Sequence, residues 1–287
     1  MRTDLLHLKY ETSAIIMEKQ YTTGFETRAN YKMVIGIITC AKNADKIAAI
    51  KQTWVKDLRK QQIDYYFIIG DPLLTNCKIE KDILYVPCAD AYESLLQKVY
   101  CFYKYVLENT AYDYIYKVDD DCFVNAELLY TTCFWNYNYF GREVCVEEEG
   151  LNRTWHFGKC TTPIYNHSAY TGQYYGTWCG GGYGYFLSRK AIQEIVSTTF
   201  TTADIYEDKA IADVLRMKNI IPDINEKYTA LDILELDRNN FKRSVFADFI
   251  TRQSHLLFTS VVIVEVKKNY QFAELQNKKQ LFHSLHV

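Results

Sequence analysis

The chain has 287 residues, of which 48% are hydrophobic and 24% charged. That composition excludes a disordered chain and supplies core for one large or two small globular domains. Its 33 basic residues nearly balance 35 acidic ones, so the summed field gives no reason to expect nucleic acid or an anionic membrane, and a small polar or neutral partner is easier to accommodate.

Residues 1–30 (MRTDLLHLKYETSAIIMEKQ and onward) read as an N-terminal extension with no long apolar core. No segment approaches the roughly 20 apolar residues that cross a bilayer, so no transmembrane segment is expected. The expectation is a soluble, cytoplasmic protein, or a secretory-pathway (Golgi) lumenal one whose N-terminal anchor is missing.

From residue 31 short β-rich runs alternate with helical patterns, which points to an α/β fold with a mainly parallel sheet. Met33 to Thr39 (MVIGIIT) reads as a strand buried on both faces, and Asp45 to Leu58 as the helix after it. Asp64 to Gly70 (DYYFIIG) is the second strand, closed by the turn Gly70-Asp71-Pro72. Asp82 to Pro87 is a third, and Tyr92 to Glu108 a long helix with Leu95, Leu96, Val99, Phe102, Tyr103 and Val106 near helical period. Tyr114 to Val118 (YIYKV) then runs straight into Asp119-Asp120-Asp121.

The second half changes character. Residues 131 to 178 are rich in Tyr, Trp, Asn, Thr and Gly and read as loops and hairpins. Gly180 to Ser188 joins a glycine turn to a strand, Arg189 to Ser197 reads as a helix, and Tyr206 to Lys218 as another led by an acidic pair that suits the helix dipole. Thr259 to Val266 (TSVVIVEV) is a late β-rich run. With no internal repeat and no low-complexity linker, one compact unit of two interleaved halves is expected.

Rings with a polar edge, supplied by 25 Tyr and 15 Phe, suit carbohydrate faces as well as ordinary cores. The nine cysteines form no C-x-x-C and no zinc spacing, which favours a reducing compartment. Against that stand two glycosylation sequons, Asn152-Arg153-Thr154 and Asn166-His167-Ser168.

In open α/β sheets ligands bind at the carboxyl ends of strands. Three adjacent carboxylates there repel one another unless a cation or strong donors compensate. Hard oxygen ligands suit Mg²⁺ or Mn²⁺, which also bridge a diphosphate; a solvated acidic turn, or a helix N-cap before Asn125-Ala126-Glu127-Leu128, is the bland alternative. The glycine run Gly180 to Gly182 lacks the Lys-Ser/Thr ending of a P-loop and reads as close backbone approach to a sugar. Trp178 and Tyr183 beside it suit either stacking on a sugar or packing, whereas Trp54 reads as core.

Tyr116-Lys117-Val118-Asp119-Asp120-Asp121-Cys122-Phe123-Val124-Asn125 resembles the K-x-D-D-D-x-F-V-N block of the β-1,3-glycosyltransferases, the family of the Fringe proteins and the β-1,3-galactosyl- and N-acetylglucosaminyltransferases. Four further blocks fall in the same order. Ala49-Ile50-Lys51-Gln52-Thr53-Trp54 resembles A-I-R-x-T-W, with Lys51 where arginine is usual, and Asp90 to Lys98 resembles D-x-Y-x-N-L-x-x-K. Cys179 to Ser188 resembles G-G-x-G-Y-x-L-S, and Glu207-Asp208 the E-D-V block, with Lys209 and Ala212 departing from the usual valine and glycine.

The resemblance implies a GT-A fold with a Rossmann-like, mainly parallel sheet, helices on both faces and a smaller acceptor-side sheet. The resemblance spans residues 33 to about 255, and one transferase domain is expected at 31–267, with a nucleotide-sugar half at 31–125 and an acceptor and catalytic half at 126–267, followed by a tail at 268–287. It implies a UDP-sugar donor, Mn²⁺ (or Mg²⁺), a glycan or glycoprotein acceptor, and transfer with inversion, forming a β-1,3 linkage. Asp119 and Asp121 are the expected metal ligands, Asp208 the general base, and Lys51, Asp90, Lys98, Lys117, Asp119, Asp120, Gly181 and Gly182 the donor-side residues. His255 lies where the family supplies a metal histidine; His156, His167 and His283 compete with it. A metal-dependent nucleotidyltransferase or phosphohydrolase, or a sugar-binding protein on an inactive scaffold, are the alternative readings.

Overall fold

The computed structural model describes residues 31–129, 132–144, 152–172, 176–200 and 204–223, with two short strands at 230–231 and 246–248. Residues 1–30, the strand expected at 259–266, His255, His283 and the tail at 268–287 lie outside the described residues.

The first strand, β1 (Met33–Ile38), is buried at every position, as a strand covered on both faces must be. Where one helix was expected over 45–58, the chain forms α1 (Ala44–Gln52) and α2 (Val55–Lys60). The break lies at Thr53, whose backbone leaves the helical region, and it turns the fully buried Trp54 so that its indole N–H donates to the Cys122 carbonyl, 3.0 Å away. β2 (Asp64–Gly70) has the expected bounds. A short exposed strand, β3 (Lys78–Glu80), precedes β4 (Ile83–Val86).

After a 3-10 turn at Tyr92–Ser94 comes α3 (Leu95–Asn109), which buries Leu96, Val99, Phe102, Tyr103 and Val106 along one stripe. Next are β5 (Tyr114–Asp119), β6 (Cys122–Val124), a single turn α4 (Ala126–Leu129), β7 (Tyr139–Gly141) and β8 (Glu143–Val144). β9 (Trp178–Cys179) leads through a 3-10 turn at Gly181–Tyr183 into β10 (Tyr185–Ser188). α5 (Arg189–Val196) starts at Ser188, whose hydroxyl accepts from the Ala191 N–H as an N-cap. α6 (Glu207–Met217), β11 (Ala230–Leu231) and β12 (Phe246–Asp248) complete the described elements.

The main sheet runs β3-β4-β2-β1-β5-β10-β7. Its four central strands, β4, β2, β1 and β5, are parallel; β3 and β10 run against them, and β7, paired antiparallel with β10, runs with them again. Helices α1 and α2 cover one face around Ile47, Ile50, Val55 and Leu58. Helices α3, α5 and α6 cover the other around Phe102, Ile192 and Ile211. The expected α/β architecture with helices on both faces is therefore present, with a smaller sheet β11-β12-β6 beside it.

The chain leaves β1 toward β2 on one side and returns to β5 on the other, so the switch point of the sheet lies between β1 and β5. Ile38 and Asp119 are register partners there. The aspartates thus emerge opposite the loop that follows β1. Much of the aromatic content is spent on the core: Phe134 stacks on Phe186 at 4.8 Å and 3°, with Phe140 and Tyr137 continuing the row.

Candidate active site

The three aspartates enter three different environments. Asp119, the last residue of β5, accepts a hydrogen bond from Lys117 Nζ at 2.7 Å; burial, together with neighbouring Asp120 and Asp208, pushes its pKa upward against Lys117. Asp120 is buried and accepts from Thr39 Oγ1 at 2.6 Å, Asn43 Nδ2 at 2.7 Å and Lys46 Nζ at 2.8 Å. Burial works against the Lys46 charge, but Asp120 beside it outweighs that and raises the ammonium pKa. Asp121 stands at the mouth of the crevice with 37% of its side chain exposed and Lys46 3.8 Å away.

Glu207 and Asp208, the first residues of α6, meet this cluster from across the sheet. Lys117 is fully buried, and its Nζ reaches Glu207 Oε2 at 3.1 Å and the Gly181 carbonyl at 3.1 Å as well as Asp119. Tyr185 donates its hydroxyl to Glu207 Oε1, and Tyr103 and Tyr185 hydroxyls lie 2.9 Å apart. Burial raises the Glu207 pKa against the pull of Lys117. Asp208 Oδ2 accepts the Gly181 N–H at 2.9 Å, and its Oδ1 accepts the Lys209 N–H at 2.8 Å. The glycine block thus fixes the Asp208 carboxylate. A Cβ on Gly181 would sit 3.0 Å from both Glu207 Oε2 and Lys117 Nζ, whereas one on Gly182 would meet nothing within 4 Å. Cys122 Sγ donates to the Gly182 carbonyl at 3.0 Å and ties the turn to the aspartate strand.

Asp90 and Lys98 brace the same end of the sheet from below. Asp90 accepts from the Ala41 N–H at 2.7 Å, the Gly70 N–H at 3.0 Å and Lys98 Nζ at 2.6 Å. Lys98 also donates to the Thr39 carbonyl at 2.6 Å. This pair holds the loops after β1, β2 and β4 together. Lys51 does not join the cluster: it pairs with Asp82 at 2.7 Å, at the start of β4, the opposite end of the parallel strands. Trp178 is buried in the core, so its ring packs rather than stacks on a ligand, and Tyr183 is half-buried beneath the Arg142 guanidinium, 4.2 Å from its ring centre. His156 is buried between Tyr206 Oη at 3.1 Å and the Ser168 carbonyl at 3.0 Å, and His167 is exposed.

Residues 152–172, irregular in sequence, are pinned over this crevice. Glu93 accepts the N–H of Thr161 at 3.1 Å and of Thr162 at 2.8 Å, and the Thr161 hydroxyl at 2.8 Å. Burial opposes that charge, but the Thr162 and Thr161 hydrogen bonds hold the Glu93 pKa down at about 2. Tyr206, next to Glu207, donates to the Asn152 carbonyl at 2.8 Å and packs on Tyr170 at 4.5 Å. Sequence reasoning missed Thr39, Asn43, Lys46, Tyr92 and Glu93; for the first three, the position of the first loop at the carboxyl end of β1 was the available signal. The eight described cysteines are free thiols.

The galactosyltransferase family model ("Galactosyltransferase") matches residues 46–226, from the helix after β1 through the Glu207-Asp208 pair. The chain belongs to this galactosyltransferase family. A mouse protein, UDP-GalNAc:beta-1,3-N-acetylgalactosaminyltransferase 2 [Mus musculus], is 33% identical over 63 residues, which is 22% of this chain and 12% of that relative's length. Two solved structures are similar at 11% identity. One is a glycosyltransferase involved in the glycosylation of the major capsid of PBCV-1 (TM-score 0.47, 80% of this chain and 99% of that one). The other is galactosyltransferase LgtC in complex with donor and acceptor sugar analogs (TM-score 0.41, 76% and 87%).

In this galactosyltransferase-family chain the cluster brings Asp119, Asp120, Asp121, Glu207 and Asp208 together, while Lys117 and Lys46 supply the cations bonded among them. Among the described residues no three His, Cys, Asp or Glu side chains form a metal cage. Asp120 is taken up by the first loop, so the carboxylates to weigh against a metal are Asp119, whose Oδ1 is bonded to Lys117, and Asp121, which has Lys46 3.8 Å away. That set fits Mg²⁺ or Mn²⁺, which bind through one or two carboxylates and leave the other positions to water and phosphate. No helix among the described residues is long and apolar enough to cross a membrane.

Proposed function

We propose that the chain is a metal-dependent hexosyltransferase of GT-A type that moves a hexose or N-acetylhexosamine from a UDP-sugar to a hydroxyl of a glycan or glycoprotein, with inversion and a β-1,3 linkage. The observation that carries this reading is the fixed Asp208 carboxylate, held by two backbone N–H groups beside an acidic cluster at the switch point. Asp208 takes the proton of the acceptor hydroxyl as that oxygen forms its bond to the anomeric carbon; the bond from that carbon to the diphosphate breaks, and UDP departs with the electron pair. One displacement inverts the centre, so one base suffices. Asp119 and Asp121 would hold the divalent ion, which supplies charge neutralisation at the diphosphate. The 31–125 half serves the donor and the 126–267 half the acceptor.

Lys117 is fully buried, and Asp90, Lys98 and Asp120 are taken up by the loops they bind; these act as positioning residues behind the donor site. Gly182, with open space beside it, faces the crevice. The test is incubation of the purified protein with Mn²⁺, a panel of UDP-sugars and simple glycoside acceptors, with product analysis. Asp208→Asn is expected to keep UDP binding and to lower transfer by about 10²–10⁴-fold, while Asp121→Ala weakens metal-dependent UDP binding. No donor binding or turnover by the wild type overturns the proposal, and products cleaved between the two phosphates assign the site to a phosphohydrolase or nucleotidyltransferase instead.

A further inference from the structure

Of the four indoles in the chain, Trp54 and Trp178 are buried and Trp135 is half-buried against Tyr31. Trp155 is different: 59% of it is exposed. A single exposed apolar side chain is ordinary on a protein surface; what sets Trp155 apart is its fixed setting. Its segment is fastened at Asn152 by Tyr206, the neighbour of the Glu207-Asp208 pair, and at Thr161 and Thr162 by Glu93.

The ring is connected to the crevice through one side chain. Lys159 Nζ lies 3.7 Å from the Trp155 ring centre and 5.5 Å from that of Tyr92, a cation held between two aromatic groups. Lys159 feels the Asp121 carboxylate, and Tyr92 feels Asp208 and Asp119. Phe157 and Ile164, both exposed, extend the apolar surface on the same segment. A partly exposed ring with an ammonium over one of its faces, set at the rim of an acidic crevice, matches a pyranose, which presents an apolar C–H face and a polar hydroxyl edge.

We propose that Trp155, backed by Lys159, is the stacking platform of the acceptor sugar, a hexopyranoside subsite that sets acceptor affinity. The subsite rests on the transfer reaction proposed above. It stands on the acceptor side of the crevice, carried by a segment that packs on Tyr206 and is tied to Glu93.

The experiment compares the wild type with Trp155→Ala and Trp155→Phe, using the methyl β-glycosides of galactose, N-acetylglucosamine and N-acetylgalactosamine as probes. Acrylamide quenching of Trp155 fluorescence, isolated by subtracting the Trp155→Phe spectrum, is expected to fall when the accepted glycoside is added. In transfer assays Trp155→Ala raises the KM for that glycoside about tenfold or more with a smaller change in kcat, and Trp155→Phe recovers most of the affinity. UDP titration of the wild type separates the two hypotheses: failure to bind UDP overturns the transferase reading itself. If UDP binds but none of the three glycosides shields the indole, or Trp155→Ala keeps the wild-type acceptor KM, the platform is wrong. Shielding that follows protein concentration instead of glycoside assigns the patch to a contact between copies of the chain.

Discussion

Replacing Lys117 by methionine tests the buried centre of the site. Lys117 has no exposed surface, and the Glu207 side chain it pairs with is 2% exposed. Methionine keeps the length and apolar stem but removes the cation that bridges Asp119, Glu207 and the Gly181 carbonyl. Glu207 would keep the Tyr185 hydroxyl and lose its only described counter-charge. An uncompensated buried charge of this kind costs about 3–5 kcal/mol, against a total stability of roughly 5–15 kcal/mol for an ordinary domain. For a chain of this size that corresponds to a fall in Tm of about 10 °C. The assay is urea and thermal unfolding followed by circular dichroism, run on Lys117→Met and on Lys117→Met with Glu207→Gln. The double variant removes both charges and is expected to recover about 2 kcal/mol of the loss. A single variant within about 1 kcal/mol of the wild type, or no recovery in the double, refutes the buried-bridge argument.

Two adjacent glycines make a contrasting pair. Gly181→Ala pushes a methyl group against Glu207 Oε2 and Lys117 Nζ and is expected to cost about 1–3 kcal/mol in unfolding experiments. Gly182→Ala meets nothing within 4 Å, so its stability stays within about 0.5 kcal/mol of the wild type, and a loss of donor turnover without a loss of Tm marks it as facing the substrate. Glu93 gives the pH dependence. Its folded pKa of about 2 lies below the ordinary 4.5, so its contribution is present above pH 4.5 and is lost as pH falls from there toward 2. Acid titration of Trp155 fluorescence reads that release of the 161–162 loop, and Glu93→Gln is expected to abolish the acid transition; an unchanged transition in the variant assigns it elsewhere.

What the sequence made legible follows from where the information is local. The strand at 64–70 is found at its expected bounds because DYYFIIG is bounded by a polar start and a Gly-Asp-Pro turn. The helices α3, α5 and α6 lie within a few residues of their expected ranges because each buries an apolar face of helical period, and β1, β5 and β10 do so because each is a short, almost wholly buried run. β3 escapes notice because it is three residues long and Lys78, Ile79 and Glu80 are all exposed, so no apolar face marks it. The helix expected over 45–58 breaks because the Trp54 indole seeks the Cys122 carbonyl, 68 positions away, which no local pattern reports. Lys51 fits a family block, yet its partner Asp82 lies at the far end of the strands.

The aspartate cluster shows the same limit at the site itself. In sequence Asp119, Asp120 and Asp121 are equivalent neighbours. Pairing of β1 with β5 sets Ile38 beside Asp119, and the turn that follows sends the middle carboxylate to Thr39, Asn43 and Lys46, some 80 positions earlier in the chain. Burial on both faces of β5 leaves Lys117 no route to solvent, so it must find carboxylates inside, and it finds Asp119 and the distant Glu207. The triplet therefore divides its labour. Asp120 closes the first loop, Asp119 links the strand to α6 through Lys117, and Asp121 is left at the open mouth. Asp120→Ala is therefore expected to lower Tm, whereas Asp121→Ala is expected to spare it and, under the transfer reaction proposed above, to weaken metal-dependent UDP binding, although the two residues are adjacent and chemically identical.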